Sequence, residues 1–226
     1  MTETEITPQT IALIGGTGNL GPGLALRWAK AGHTVFIGSR TSEKAEEVAS
    51  ELNEILGDSL ILGLDNASAV QRAEICVLTV VQSAHDPALE SLKEELQGKI
   101  LIDATARTSF PDLTPPAPPS AARIAQNILG KGVRVTAAFQ NVAASSLKKN
   151  LGEQLNSDVI VCADDLEAAL TVIALSKSAG MQAYYAGDLD KAIVVEGFTS
   201  LVISMNKHYK VHAGTIKIAG IPSSKT

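Results

Sequence analysis

Short apolar runs alternate along the chain with segments whose apolar positions recur at helical spacing. The runs that predict strands are residues 11–14, 34–37, 60–62, 75–78, 100–102, 133–138, 159–162, 181–186 and 215–218. The segments that predict helices are residues 20–30, 42–56, 120–129, 164–178 and 188–210. Because most of the strand-length runs are apolar throughout, they are typical of parallel strands covered on both faces. The alternation therefore predicts an α/β fold with a doubly wound, mostly parallel sheet and a small C-terminal α/β extension.

Capping residues and prolines mark where the predicted elements end. Ser42 is the predicted N-cap of its helix, and Gly180 follows the end of the helix over residues 164–178. Five of the nine prolines fall between Pro111 and Pro119, which predicts an extended loop that serves either as a spacer or as a lid. The helix over residues 188–210 is apolar on most of its circumference, so we expect it to be buried on all sides.

The amino-acid composition and charge of the chain argue against several classes of protein. The 226 residues include 24 acidic and 19 basic side chains, a net charge of −5 that argues against a nucleic-acid binder. No uncharged apolar run approaches the roughly 20 residues that span a bilayer, and residues 1–9 are polar and acidic, unlike a signal peptide. We therefore expect a cytoplasmic protein. Cys76 and Cys162 stand in separate apolar runs and are expected to be buried thiols, and no spacing of potential ligands suggests a metal site.

A glycine-rich turn between the first predicted strand and helix carries the clearest chemical signal. Gly16, Gly18 and Gly21 match G-x-G-x-x-G, whose glycines permit a tight turn, close approach of the backbone to a pyrophosphate, and helix packing. The helix directs its N-terminus at the negative charge, and Pro22 is tolerated where its missing N–H is not needed. The motif in this context predicts a Rossmann-type dinucleotide site, with a purely structural glycine turn as the alternative.

The end of the second predicted strand indicates which dinucleotide binds. NAD sites usually place Asp or Glu there for the ribose hydroxyls, whereas this chain has Ser39 and Arg40, with Lys44 one turn into the next helix. A hydroxyl, a guanidinium and an ammonium around one point favour a 2′-phosphate. The sequence therefore predicts that NADP(H) binds to a domain of residues 1–150, and that residues 151–226 form a smaller substrate and dimerisation domain.

With these motifs in place, the chain resembles the F420:NADP oxidoreductases, also called NADPH-dependent F420 reductases. The segments that carry the resemblance are residues 11–21, 38–40 with Lys44, 77–80, 137–144, 161–165 and the apolar C-terminal helix. The resemblance implies reversible hydride transfer between C4 of the nicotinamide and C5 of the deazaflavin coenzyme F420. The chain departs from some members in residues 103–107, which lack a proline, and at Gln140, where some members carry His.

The resemblance also implies which residues contact the two coenzymes. Those expected at the pyrophosphate and the 2′-phosphate are Thr17, Gly18, Asn19, Leu20, Ser39, Arg40 and Lys44. Those expected at the nicotinamide half are Val80, Ala106 and Ala144, and those bordering the deazaflavin are Gln140, Asn141 and Val142. Because the coenzymes carry the chemistry, we expect no catalytic acid or base, and backbone amides or the side chains of Gln140 and Asn141 would donate to the acceptor ring. The resemblance further implies a homodimer.

Other interpretations remain open from the sequence. An NADPH-dependent reductase of a flavin, a ferric chelate or an imine would share the nucleotide motifs, and so would a non-catalytic NADP-sensing regulator. From residue 191 onward five lysines accompany a single acid, Glu196, and this basic patch would receive the phosphate and glutamate tail of F420 or simply be solvated. His33 is interpreted as a surface turn residue, and His85 as a capping or surface residue.

Overall fold

The computed structural model describes residues 7–109 and 111–222, whose strands form one sheet. The strands are β1 (Thr10–Ile14), β2 (Thr34–Ser39), β3 (Ile61–Asp65), β4 (Ile75–Leu78), β5 (Ile100–Asp103), β6 (Arg134–Ala137), β7 (Asp158–Ala163) and β8 (Gln182–Gly187). The helices are α1 (Gly21–Lys30), α2 (Ser42–Leu56), α3 (Asn66–Arg72), α4 (His85–Ser91), α5 (Ala121–Leu129), α6 (Ala144–Leu147), α7 (Leu166–Ser178) and α8 (Ala192–Tyr209). Residues 1–6, on which most of the signal-peptide expectation rests, lie outside the described residues.

The sheet is mostly parallel, and its strand order reverses between β1 and β4. The strand order is β3-β2-β1-β4-β5-β6-β7-β8, and every neighbouring pair is parallel except β6 and β7. The chain builds outward from β1 through β2 and β3, then crosses back to place β4 on the other side of β1. In such sheets ligands bind in the crevice at the carboxyl ends of the central strands. The predicted doubly wound fold is confirmed.

Successive residues of the central strand point to opposite faces and build two cores. Ile11 and Leu13 belong to the core with α1, α2 and α7, whereas Ala12 and Ile14 belong to the core with α3, α4, α5 and the start of α8. Trp28 of α1 meets Phe139 edge-on, with ring centroids 5.8 Å apart. Helices therefore cover both faces of the sheet, and this double burial explains why its central strands β1 and β4 are almost entirely apolar.

Most predicted elements are present, and the differences have local causes. Thr41 rather than Ser42 is the N-cap residue of α2, and no side chain caps that helix. Residues 215–218 form no strand. Instead, Ile216 O accepts from Asp158 N at 2.9 Å, and Ile218 N donates to the Asp158 carboxylate at 2.7 Å. This segment follows the beginning of β7 through single hydrogen bonds rather than a strand ladder.

The C-terminal helix α8 is buried on one side only. Val195 and Ser200 are buried, whereas Val194 and Leu201 remain 59% and 54% exposed. The expectation of burial on all sides is therefore wrong for the single chain, because only the start of the helix contributes to a core cluster. Among the helices of residues 7–109 and 111–222, none has the length and apolarity to cross a membrane.

Both histidines are buried, so the expectation of a surface position is wrong for His33, and for His85 the surface alternative is wrong. His33 and His85 are 3% and 4% exposed. The His33 ring bonds to Gln9 N at 3.1 Å and to the Ser178 hydroxyl at 2.9 Å, which links the start of β1 to the end of α7. His33 follows the turn after α1 and His85 begins α4, and the fold covers both positions, which the local sequence does not reveal.

Candidate nucleotide-binding site

A cleft of about 1040 Å³ opens at the carboxyl ends of β1, β2 and β4. Its volume suits a ligand as large as a dinucleotide. The residues that line it are Gly15, Thr17, Gly18, Ser39, Arg40, Thr41, Lys44, Asn66, Thr79, Val80, Val81, Ser83, Ala84, Pro87, Ala88 and Ser91. The cleft therefore lies at the switch point of the sheet, where the glycine turn and the end of β2 meet.

Backbone hydrogen bonds hold the glycine turn on the side that faces the protein, and the backbone is accessible on the side that faces the cleft. Gly15 has a φ of +66°, and Gly16 N donates to Leu13 O at 3.1 Å and to Gly38 O at 2.8 Å. A Cβ on Gly21 would collide with the Gly16 backbone, so a side chain there would push α1 away from the turn. At Gly18, by contrast, an added Cβ would meet no atom closer than 3.7 Å. The backbone at Gly18 is thus accessible to a pyrophosphate beside the N-terminus of α1.

Two polar side chains that the sequence did not single out hold this turn in place. Asn66 Oδ1 accepts from Gly15 N at 3.1 Å, and the Thr79 hydroxyl donates to Ile14 O at 3.0 Å. Asn66 begins α3 and Thr79 follows β4, so both reach the turn only because their strands flank β1 and β2. No motif in the sequence marks either residue.

The end of β2 presents positive charge to the cleft. Ser39 is 9% exposed, and Arg40 and Lys44 are exposed beside it. The Lys44 ammonium lies 2.7 Å from Glu47, whose hydrogen bond and charge raise the pKa of Lys44. An exposed pair of this kind is weak, so the ammonium is free to turn toward a phosphate. The neighbouring carboxylate, Asp65 at the end of β3, caps α3 by accepting from Ser68 N.

The structure brings together six of the predicted site residues and places the others elsewhere. Those on the cleft wall are Thr17, Gly18, Ser39, Arg40, Lys44 and Val80. Asn19 and Leu20 lie in the turn before α1 but are not part of that wall. The remaining five, which follow β5 and β6 outside the cleft lining, are Ala106, Gln140, Asn141, Val142 and Ala144.

The amide side chains after β6 already use their donors. Gln140 Nε2 donates to Asp103 O at 2.9 Å, and Asn141 Nδ2 donates to Asp158 O at 2.7 Å. The amide oxygens of both residues are buried with no hydrogen-bond partner among the described residues. These side chains can therefore offer a ligand an acceptor oxygen.

A buried histidine lies between two carboxylates at the carboxyl end of β5. His85 Nε2 is 2.7 Å from Asp103 Oδ2, and its Nδ1 is 2.6 Å from Asp86 Oδ1. Burial alone would lower the pKa of His85, but the hydrogen bonds and charges of Asp103 and then Asp86 outweigh it and raise the pKa to about 9. The ring is therefore an imidazolium at neutral pH, with both nitrogens donating.

An ion pair between Arg107 and Glu196 fixes the segment before the proline loop to α8. Arg107 N and Nε both donate to the buried Glu196 carboxylate, and Arg107 Nη2 donates to Pro119 O at 2.6 Å and to Ala117 O at 3.0 Å. Glu196 also accepts from Ala121 N at 3.0 Å, at the start of α5. This arrangement joins the segment before the loop to its last residues and to the starts of α5 and α8.

The cysteines have the inert character that we predicted. Cys76 and Cys162 are free and buried, and burial raises the pKa of their thiols to about 12 and about 11. Within the part of the chain that the structure describes, no group of three potential ligands could hold a metal ion.

Known proteins share this architecture. A family model described as NADP oxidoreductase coenzyme F420-dependent matches residues 10–107. The F420-dependent NADP reductase of Methanothermobacter thermautotrophicus is 37% identical over 95% of this chain and 97% of its own length, and that of Methanocaldococcus jannaschii is 38% identical over 93% and 98%. A crystal structure of a candidate F420-dependent NADP reductase from Arthrobacter sp. FB24 is similar with a TM-score of 0.79 at 25% identity, covering 94% of this chain and 100% of that one.

Proposed function

This chain belongs to the family of F420-dependent NADP reductases, and on that premise we propose that it transfers a hydride reversibly between C4 of NADP(H) and C5 of coenzyme F420. The observation that carries the proposal is the single cleft in which an open glycine turn faces Ser39, Arg40 and Lys44. An NAD-type carboxylate is missing from the end of β2, and the nearby Asp65 is occupied as a helix cap. A dinucleotide with a 2′-phosphate satisfies both ends of this cleft.

The adenosine end of NADP(H) would be bound by charge and by backbone. Thr17, Gly18, Asn19 and Leu20 form the turn where α1 begins, so their backbone would receive the pyrophosphate. Arg40 can offer a planar fork to the 2′-phosphate, with the Ser39 hydroxyl and the Lys44 ammonium beside it.

The reacting rings would meet where the loops after β4, β5 and β6 converge. Val80 lies on the cleft wall, and the half-buried Ala106 and Ala144 follow the neighbouring strands, so we place the nicotinamide against these small side chains. Gln140, Asn141 and Val142 would border the deazaflavin. The unpartnered Gln140 Oε1 is suited to accept from a ring N–H of that coenzyme.

The coenzymes supply the chemistry: NADPH delivers a hydride from C4, F420 receives it at C5, and one proton from solvent completes the reduced deazaflavin. The protein would hold the two rings at near-contact distance and exclude water. Alanine side chains after β5 and β6 leave room for flat rings to approach the backbone. No side chain on the cleft wall needs to act as an acid or base in this scheme.

The exposed side of α8 supports a homodimer as part of the same proposal. Val194, Leu201, Met205 and Tyr209 are each more than half exposed on this helix. Beside them lies a groove of about 450 Å³ with a mostly apolar lining. Contiguous apolar surface of this kind marks an interaction site. A second copy of the chain would cover it.

Loss of the absorbance of oxidised F420 tests the reaction. The protein is mixed with F420 and NADPH, and in parallel with F420 and NADH at the same concentration. We expect fast bleaching with NADPH and much slower bleaching with NADH, because only NADPH carries the phosphate that Arg40 and its neighbours would bind. NADPH binding without bleaching would overturn F420 as the acceptor and would leave the nucleotide site in place.

A further inference from the structure

Asp103 forms hydrogen bonds to several segments that meet at the carboxyl edge of the sheet. Its side chain is fully buried at the end of β5, where Oδ2 pairs with His85 Nε2 at 2.7 Å and Oδ1 accepts from Thr105 N at 2.9 Å. Its backbone oxygen accepts from Gln140 Nε2 at 2.9 Å and from Ala138 N at 3.3 Å. One residue therefore fixes four groups at the carboxyl edge of the sheet.

These four groups come from three segments of the chain. His85 is the first residue of α4, directly after the β4 loop (residues 79–84). Thr105 belongs to the β5 loop (residues 104–109), and Gln140 and Ala138 belong to the β6 loop (residues 138–143). The β4 loop carries Val80 and Ala84, which line the nucleotide cleft. The β5 and β6 loops carry the residues proposed to face the nicotinamide and the deazaflavin. The bonds of Asp103 thus connect the wall on the NADP(H) side to the wall on the acceptor side.

Of these four hydrogen bonds, the one between His85 and Asp103 reaches the segment that follows β4, and it is ionic. Of the described charged groups, those that face the His85 ring are Asp103 from β5, Asp86 from α4 and Arg107 from the β5 loop, with Ile124 of α5 closing the small cavity of about 260 Å³ beside the ring. The Arg107 guanidinium is paired with Glu196, and the Asp86 side chain is 57% exposed. Buried charge-assisted hydrogen bonds of this kind are short and geometrically strict.

We propose that His85 and Asp103 form a positioning pair that sets the separation of the nicotinamide and acceptor walls. The inference rests on the proposed hydride transfer for the reaction that it serves, and neither side chain contacts a coenzyme in it. Hydride transfer depends steeply on the distance between the two rings, and a displacement of about 1 Å can cost about 100-fold in rate. The pair acts through the placement of the three loops, while the phosphates are held at the opposite end of the cleft.

Variants at His85 and Asp103 test the pair, because a positioning role should lower kcat and leave the KM for NADPH nearly unchanged. His85→Leu removes the donor to Asp103, and Asp103→Asn removes the charge but keeps an acceptor for Thr105 N. We expect kcat with F420 to fall about 10- to 100-fold in both variants, with the KM for NADPH within about twofold of wild type. His85→Gln keeps an N–H near the position of Nε2, so it should recover a substantial part of the lost kcat. The control is Asp86→Asn, which changes the other, exposed partner of the same ring and should leave kcat within about twofold.

The pH profile separates positioning from general loss of structure. The pKa of His85 is raised to about 9, so the ion pair is present below that pH and is lost as the ring deprotonates. Wild-type kcat should therefore fall above about pH 9 toward the level of His85→Gln, whose own kcat should show no such alkaline limb. A His85→Leu variant with wild-type kcat, or a His85→Gln variant with the same alkaline limb, would overturn the proposal.

Two measurements that need no turnover test the pair of His85 and Asp103 independently of the proposed reaction. In wild-type protein with ¹⁵N-labelled histidine, NMR should show the His85 ring with both nitrogens protonated at pH 7, and hydrogen exchange in residues 104–109 and 138–143 should accelerate in His85→Leu. A singly protonated ring, or unchanged exchange in both loops, would overturn the pair. Failure of wild-type protein to reduce F420 would instead overturn the proposed function, since these two readouts do not depend on it.

Discussion

At the scale of single residues, we propose that Arg40 distinguishes NADP(H) from NAD(H). Its guanidinium is exposed at the end of β2, in the cleft that also contains Ser39 and Lys44. A hydrogen bond to a charged group contributes about 1.5–3 kcal/mol, which corresponds to about 10- to 100-fold in binding. Arg40→Ala should therefore raise the Kd for NADPH by about 10- to 100-fold and change the Kd for NADH by less than about threefold.

Titration of NADPH fluorescence measures both constants for Arg40→Ala. Arg72→Ala is the matched control, because Arg72 is also an exposed arginine but lies at the far end of α3 and does not line the cleft. An equal loss of affinity for NADPH and NADH in Arg40→Ala would contradict a 2′-phosphate contact.

His85 also makes a prediction about stability. Its pKa is raised to about 9 in the folded protein, above the ordinary value near 6.5, so folding is favoured by proton binding. This contribution is fully present below about pH 6.5 and disappears as the pH rises through about 9. Between about pH 6 and about pH 9.5, wild type should lose roughly 1–3 kcal/mol more unfolding free energy than His85→Gln. Urea unfolding at both pH values measures the difference, and equal losses would contradict a charged His85.

At the scale of elements, Arg27 fastens α1 to the segment after α6. Its guanidinium is buried and donates to the backbone oxygens of Leu147, Lys149, Glu153 and Ala179 at 2.6 to 3.1 Å. Burial lowers the pKa of this guanidinium. Removing the donors would leave several buried acceptors unpaired, each at a cost of about 1–3 kcal/mol where water cannot reach it.

We therefore expect Arg27→Met to lower the free energy of unfolding by about 2–4 kcal/mol, with the methionine filling most of the side-chain volume. Urea unfolding at pH 7 gives the value, and Arg72→Met serves as an exposed control. A loss below about 0.5 kcal/mol would mean that Arg27 does not hold the two segments together.

The sequence predicts long elements better than short ones, for a physical reason. The apolar strands and the four helices α1, α2, α5 and α7 follow from periodicity, because each repeats its pattern over a full run of buried positions. The short helices α3, α4 and α6 span only 7, 7 and 4 residues, too few for a helical period to stand out. Residues 215–218 have the composition of a strand, but they bond to Asp158 and its neighbours through isolated hydrogen bonds rather than a strand ladder, so composition alone misleads there.

The residues of the candidate site also fall into a predictable and an unpredictable group. Thr17, Gly18, Ser39 and Arg40 belong to the glycine turn and to the end of β2, two parts of one strand–helix–strand unit, and the sequence predicts that they meet. Asn66, His85 and Asp103 act through partners that are distant in the chain, such as Gly15 for Asn66, 51 positions away. Only the strand order brings these partners together, so no local pattern could have revealed them.

At the scale of the whole molecule, the proposed homodimer rests on the exposed side of α8. Leu201 lies on its exposed face and also lines the apolar groove. A charged side chain at the centre of a dimer interface would be desolvated without a partner, so Leu201→Lys should convert a dimer to a monomer at micromolar concentration. Light scattering measures the mass.

The chain offers a closely matched control for that substitution. Leu170 on α7 has the same exposed fraction as Leu201, 54%. Leu170→Lys should leave the dimer intact, since Leu170 does not line the groove. A wild-type protein with monomeric mass would contradict the homodimer outright, and dissociation by both variants would place the interface elsewhere.

The proposed function depends on the direct passage of one hydride between the two coenzymes within this chain. NADPH with deuterium at both C4 positions is mixed with the protein and F420, and the reduced deazaflavin is examined by NMR and mass spectrometry. We expect one deuterium at C5 of each reduced F420, because the two rings would be held together with water excluded. Reduced F420 without deuterium at C5 would rule out direct transfer.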